Sequence, residues 1–209
     1  GIEVESGLLE SEAAYANRAW LSSIKLNRPY FTWKVAITLD GKIAASDGSS
    51  KWISNEKSRE YVAQLRNQSD AILVGTGTVL KDNPNLVSEN QALRIAVGNR
   101  DIDVNLNIAD NRAPFYHHKS RDLDSLIEEL RNREVVNVLV EAGPILGSAL
   151  IKAGLIDEIA IFTAPKLLGS GSNFVEDLGI TNISDALNLK LIESQNFDGD
   201  LFNRYQVVR

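Results

Sequence analysis

Residues 70–84, DAILVGTGTVLKDNP, decide how the rest of this chain is read. An apolar run from Ala71 to Val74 enters a turn at Gly75-Thr76-Gly77, and a helical pattern opens directly after it. Residues 136–150, VNVLVEAGPILGSAL, repeat the plan with Gly143 and Gly147. A buried strand, a glycine turn and a helix start aim unpaired backbone N–H groups over a sheet edge, as anionic ligands require. Two such units in one chain predict a site for a phosphate-bearing cofactor beside a polar substrate.

Outward from these units, strands and helices alternate. Phe31, Trp33, Val35 and Ile37 interleave with Thr32, Lys34, Ala36 and Thr38, a period-two strand, and residues 39–42 (LDGK) form a turn. A helix is predicted from Asn55 to Arg66, with Tyr61, Val62 and Leu65 inward and Ser54 or Asn55 as its cap. Further strands are expected at 93–97, 115–118, 136–140 and 157–163. A helix capped by Asp122 or Asp124 runs to Arg133, and another covers 147–153, stopped by Gly154. Residues 189–209 read as a hairpin turning at Asp198-Gly199. The sum is an α/β fold, a mostly parallel sheet flanked by helices with a C-terminal antiparallel hairpin. Residues 1–27 read as a lead-in whose helix, Glu10–Leu26, starts at a Ser11 cap and carries Ala13, Ala16, Trp20 and Ile24 on one face. Residues 28–209 form the main domain.

Composition narrows the function. A net charge of -6 with no basic stripe argues against nucleic acid as a partner. No apolar run approaches the ~20 residues of a membrane span and no signal pattern opens the chain, so a cytoplasmic location is expected. The absence of cysteine excludes disulfides and thiolate chemistry. His117 and His118 are adjacent and point to opposite faces of a strand, so no metal site is expected. No methionine occurs, even at the first position, so Gly1 reads as an internal start.

Individual residues keep two readings each. Gly75-Thr76-Gly77 lacks the third glycine of a dinucleotide fingerprint, which is Leu80 here, so it is either a plain strand–helix turn or a ribose and phosphate contact aided by Thr78 and Asp82. Gly143-Pro144 suits a ligand approaching a helix start, with Gly143 and Gly147 leaving the backbone open. Glu141, at the carboxyl end of its strand, is either solvated or a ligand contact. Lys34 is an edge-strand gatekeeper or a cation facing a pocket. Trp52 is core or a stacking surface. Arg66 is an exposed helix-end cation or a phosphate clamp.

Taken together, residues 28–42 (RPYFTWKVAITLDGK), 50–54 (SKWIS), 69–84, 140–147 (VEAGPILG) and 154–169 (GLIDEIAIFTAPKLLG) resemble the reductase domain of the bacterial riboflavin-biosynthesis protein RibD. The resemblance covers nearly the whole chain in order. It implies a dihydrofolate-reductase-like fold and an NADPH-dependent oxidoreductase that converts 5-amino-6-(5-phosphoribosylamino)uracil to its ribitylamino product by hydride transfer to the sugar C1′. Ala36, Trp52, Thr78, Asp82 and the turn Gly143, Pro144, Ile145, Leu146, Gly147, Ser148 and Ala149 then become cofactor contacts. Ser50, Arg66, Leu86 and Glu141 become contacts to the phosphorylated pyrimidine substrate, and Lys34 and Glu141 the catalytic pair. Residues 1–7 (GIEVESG) look like the linker after a deaminase domain upstream, and family members often form homodimers, for which the apolar terminal hairpin is a surface. One departure matters: the family's Thr-Val-Arg after the leucine is Val87-Ser88-Glu89 here, with Arg94 the nearest replacement. For the cofactor 2′-phosphate the sequence singles out no particular cation, Arg100 being one candidate. The alternatives are a same-fold NADPH reductase of a pterin or another sugar amine, and a non-catalytic nucleotide-binding half.

Overall fold

The computed structural model describes residues 1–209. Its centre is β1 (Tyr30–Thr38), a strand buried along almost its whole length. The remaining strands are β2 (Lys42–Ala44), β3 (Ala71–Gly75), β4 (Leu93–Val97), β5 (Phe115–His118), β6 (Asn137–Val140), β7 (Ile156–Ala164), β8 (Ser172–Asn173), β9 (Leu189–Phe197) and β10 (Asp200–Val207). Eight of them form one sheet in the order β5-β4-β3-β6-β1-β7-β10-β9. From β5 to β7 every pairing is parallel, and β10 is antiparallel to both neighbours. Asp198 and Gly199, both at positive φ, make the hairpin turn whose twist matches the strands it joins. The small β2–β8 pair has too few residues to carry a sequence signal.

The helices are α1 (Glu10–Ala16), α2 (Arg18–Leu26), α3 (Glu56–Asn67), α4 (Thr76–Asp82), α5 (Leu123–Asn132) and α6 (Pro144–Lys152). On one face of the sheet, Leu126 and Leu130 of α5 and Leu150 of α6 pack with Phe31, Trp33, Leu73, Val138 and Val140. On the other, Val62 and Leu65 of α3 cover Leu139, Ala160, Phe162 and Phe202, and Val79 of α4 covers Ile72 and Val74. Asn55 and Asp122 cap α3 and α5 by accepting from Ser58 N and Asp124 N.

The lead-in departs from expectation. It is two helices, not one, and begins from Leu9 in a left-handed conformation instead of at a Ser11 cap. Asn17 breaks it, its side-chain amide donating to Ala13 O and so competing with the helical ladder. The apolar face also finds no partner: Trp20 is 56% and Ile24 62% exposed, and neither helix has a buried residue.

Candidate active site

Strands β3 and β6 are parallel neighbours whose chains leave in opposite directions. After Gly75 the chain enters α4 on the α3 face; after Glu141 it passes through Gly143 into α6 on the other face. Such a divergence opens a crevice at the carboxyl edge, where open α/β sheets bind their ligands. The two glycine segments meet there: a Cβ on Gly75 would sit 3.7 Å from Leu146 Cδ2.

Three charged side chains converge beside this crevice. The register Trp33↔Val140 brings Lys34 alongside Glu141, and the Lys34 Nζ–Glu141 Oε2 distance is 2.9 Å. From the last turn of α3, Arg66 Nε donates to Glu141 Oε1 at 2.6 Å and Nη2 to Oε2 at 3.0 Å. The edge-strand reading of Lys34 is corrected, because β1 lies between β6 and β7 and has no free edge. Burial alone pushes the Glu141 carboxyl up, but Lys34 and Arg66 outweigh it and hold the group down at about 2. Glu141 is therefore an acceptor at neutral pH. One anion against two cations leaves the cluster with an excess positive charge. Arg66 Nη1 remains available, since Nε and Nη2 hold the carboxylate.

The cofactor candidates divide. Gly143 is open, with no atom within 4 Å of where its Cβ would be, and Ile145 is exposed. Pro144 occupies the first turn of α6, where its missing N–H costs nothing. The open-backbone reading of Gly147 is corrected: its Cβ would lie 2.2 Å from Trp33 Cζ2, so this glycine serves close helix–strand packing. Leu146 packs against the core, Ser148 is buried with its hydroxyl accepting from Glu176 N, and Ala149 is exposed. Thr78 and Asp82, both half-buried, are four residues apart and share a face of α4. Ala36 lies on β1 on the same face as Lys34 and is half-buried.

Trp52 is 64% exposed, which removes the core reading, and Ser50 is half-buried in the same loop. The Leu86 side chain is buried among Ile72, Val79 and Ile108, so its backbone is the part that faces outward for a ligand. Arg94 is corrected. It is wholly buried, paired with Asp110 at 2.9 Å and donating to the carbonyls of Asn107, Asp110 and Ala113, so it cannot replace the absent arginine. Glu89 instead sits beside the end of α3, its N–H donating to Asn67 Oδ1. Arg100 is exposed, and its Nη1 lies 3.8 Å from where a Gly77 Cβ would be. No three His, Cys, Asp or Glu side chains converge as a metal site requires, and no helix is long and apolar enough to cross a membrane.

Residues 29–202 match the family profile described as RibD C-terminal domain. A riboflavin biosynthesis protein RibD from Mycobacterium tuberculosis is 38% identical over 210 residues, which are 96% of this chain and 61% of that protein. Among solved structures, Acinetobacter baumannii RibD superposes with a TM-score of 0.87 at 28% identity, over 100% of this chain and 66% of that one. A Thermotoga maritima diaminohydroxyphosphoribosylaminopyrimidine deaminase/5-amino-6-(5-phosphoribosylamino)uracil reductase gives 0.85 at 28% identity, over 100% of this chain and 65% of that one. The chain thus spans less than two thirds of the length of these relatives.

Proposed function

This chain belongs to the family of RibD C-terminal domains, and we propose that it is the pyrimidine reductase half of a riboflavin-biosynthesis protein. Its reaction is then the reduction of 5-amino-6-(5-phosphoribosylamino)uracil to the ribitylamino compound, in the cytoplasm. The observation that carries this reading is the Lys34–Glu141–Arg66 cluster at the crevice between β3 and β6. A family of reductases implies a nucleotide cofactor, and NADPH is the one we assign. The residues fit such a group: Gly143 is open, the Trp52 ring is exposed, and Arg100 stands beside Gly77 with no carboxylate partner. NADPH supplies the hydride.

The protein's own residues do the rest. Arg66 Nη1 and the excess positive charge of the cluster hold the substrate phosphate. Glu141, ionised, accepts from a sugar hydroxyl and fixes the ribose. Lys34, held by Glu141, delivers a proton to the ring oxygen as the ribosylamine opens to an imine, leaving C1′ as the hydride acceptor. Thr78 and Asp82 suit the ribose and phosphate of the cofactor, and Arg100 its 2′-phosphate.

The test is NADPH oxidation by the purified chain, followed by loss of its near-ultraviolet absorbance with the deaminated pyrimidine as substrate. Substrate-dependent oxidation that disappears in Glu141→Gln supports the assignment. A second reading, a same-fold reductase with another substrate, is favoured by Glu89 in place of the family arginine and by the burial of Arg94. It predicts NADPH binding without oxidation by this pyrimidine. Upstream, we propose a deaminase domain joined through residues 1–27. A homodimer through the terminal hairpin fits Leu189, Leu191 and Leu201, which are exposed on it.

A further inference from the structure

Trp52 is a large, mostly exposed ring on a loop, and side chains so placed ordinarily sample several rotamers. Besides its neighbour Lys51, whose Nζ lies 6.0 Å from the ring centroid, two cations restrain it, Arg59 from the helix that follows and Lys166 from far along the chain. Lys166 Nζ donates to Trp52 O and to Ile53 O, both at 2.7 Å. Arg59 places its guanidinium carbon 4.5 Å from the Trp52 ring centroid, while its Nη1 donates to Ser54 O at 2.7 Å.

Lys166 is itself anchored where β1 and β7 end. Its N–H donates to Ala164 O at 2.8 Å and its carbonyl accepts from Leu39 N at 2.9 Å. Two and three residues on, Leu168 N and Gly169 N donate to the Asp40 carboxylate. Neither Lys166 nor Arg59 has a carboxylate partner. Both cations thus direct donors to the carbonyls of one three-residue stretch, Trp52–Ser54. That stretch is tied to the carboxyl ends of β1 and β7, and β1 is the strand that carries Lys34 and Ala36.

We infer that Lys166 and Arg59 are positioning residues that hold Trp52 as a rigid wall of the cofactor site, Arg59 covering one ring face and leaving the other to the nicotinamide. The inference rests on the reductase reading. A guanidinium over an indole both immobilises the ring and polarises it, and an ammonium bridging two carbonyls fixes the backbone beneath it. Neither cation touches the reacting atoms.

The experiment begins without cofactor, in a Trp20→Phe background. Trp33 is wholly buried, so the emission that acrylamide quenches is that of Trp52. Lys166→Met and Arg59→Met are expected to raise the quenching constant, and Lys166→Arg to restore most of the wild-type value. With cofactor, Lys166→Met is expected to raise the KM for NADPH about fivefold while kcat changes less than about twofold. In a Trp52→Ala background it adds nothing further, as an effect transmitted through that ring requires. Unchanged quenching in both Met variants, or KM effects that add in the double variant, would overturn the inference. Changed quenching in a protein that does not bind NADPH leaves the restraint standing and removes its role in the cofactor site, together with the reductase reading.

Discussion

Two buried glutamates on one face of the sheet, each flanked by two cations, differ in how their charge is balanced. Glu141 meets Lys34 and Arg66; Glu158 meets Arg18 at 2.6 Å and Arg204 at 3.1 Å. The second cluster is closed by a further anion, Glu193, 3.1 Å from Arg204 Nε. It is therefore neutral, while the first carries an excess positive charge. The two are close: Glu158 is in register with Thr32, one same-face step of about 7 Å along β1 from Lys34. What separates them is position and balance. The neutral cluster secures the lead-in, since Arg18 of α2 grips a glutamate of β7 whose side chain is fully buried. The unbalanced one lies at the carboxyl end of β6, where the chain parts from that of β3. Burial of charge by itself marks neither role; an unmatched charge beside an opening marks a ligand site.

The contrast can be broken most sharply at Lys34. Lys34→Ala is expected to lower kcat by about a thousandfold, the loss typical of a positioned proton donor, and to lower Tm as well, since Lys34 is one of the two cations that hold the Glu141 carboxylate. A comparable effect on stability and none on turnover would make the first cluster structural as well. Glu158→Gln should affect stability alone. Leaving the buried Arg204 and Arg18 with one anion between them costs about 3 kcal/mol, roughly 6–12 °C in Tm for a chain of this size, while steady-state kinetics stay intact.

Acid titration sharpens the difference further. The Glu141 carboxyl lies at about 2 in the folded protein against its ordinary 4.5, so the folded state binds this proton less readily than the unfolded one. Its stabilisation is complete above the unfolded value and is lost as pH falls from 4.5 towards 2. Urea unfolding across that window should show a steeper pH slope for the wild type than for Glu141→Gln. Equal slopes would mean that the ion pairs do not hold the carboxylate as described. The smallest effect belongs to Arg18→Ala: about 1 kcal/mol, because Glu158 keeps Arg204, with α1 and α2 becoming sensitive to limited proteolysis before the sheet does.

Much of the scaffold was legible in the order of residues because its signals are local. Period-two alternation marked β1, Asn55 and Asp122 marked helix starts, and Asp198-Gly199 marked a hairpin turn, each through neighbours a few positions away. The lead-in misled for the same reason. Ala13, Ala16, Trp20 and Ile24 have helical spacing, but spacing does not supply a partner surface, and Asn17 offers the backbone a competing hydrogen bond. Gly147 misled in another way. A glycine at a helix start reads as an opening for a ligand until the tryptophan that fills the space is seen.

The site was legible as a set of candidates and not as an arrangement. Lys34, Arg66 and Glu141 were singled out separately, each with a plain alternative, and Arg59 and Lys166 were not singled out at all. Lys166, after a proline, carries no sign of the carbonyls it meets more than a hundred residues away, and Arg59, in a helix, none of the one it meets in the preceding loop. Composition and local pattern determined the class of fold, the strand–glycine–helix units and the residue types available for chemistry, because those depend on interactions within a few residues. Which strands became neighbours, which glutamate was left with unmatched positive charge, and which ring was held in place were decided by tertiary structure alone. The physical reason is that charge balance and burial are properties of groups brought together across the sheet, and the pairs that decided them here, Lys34 with Glu141 and Arg18 with Glu158, lie far apart in the sequence.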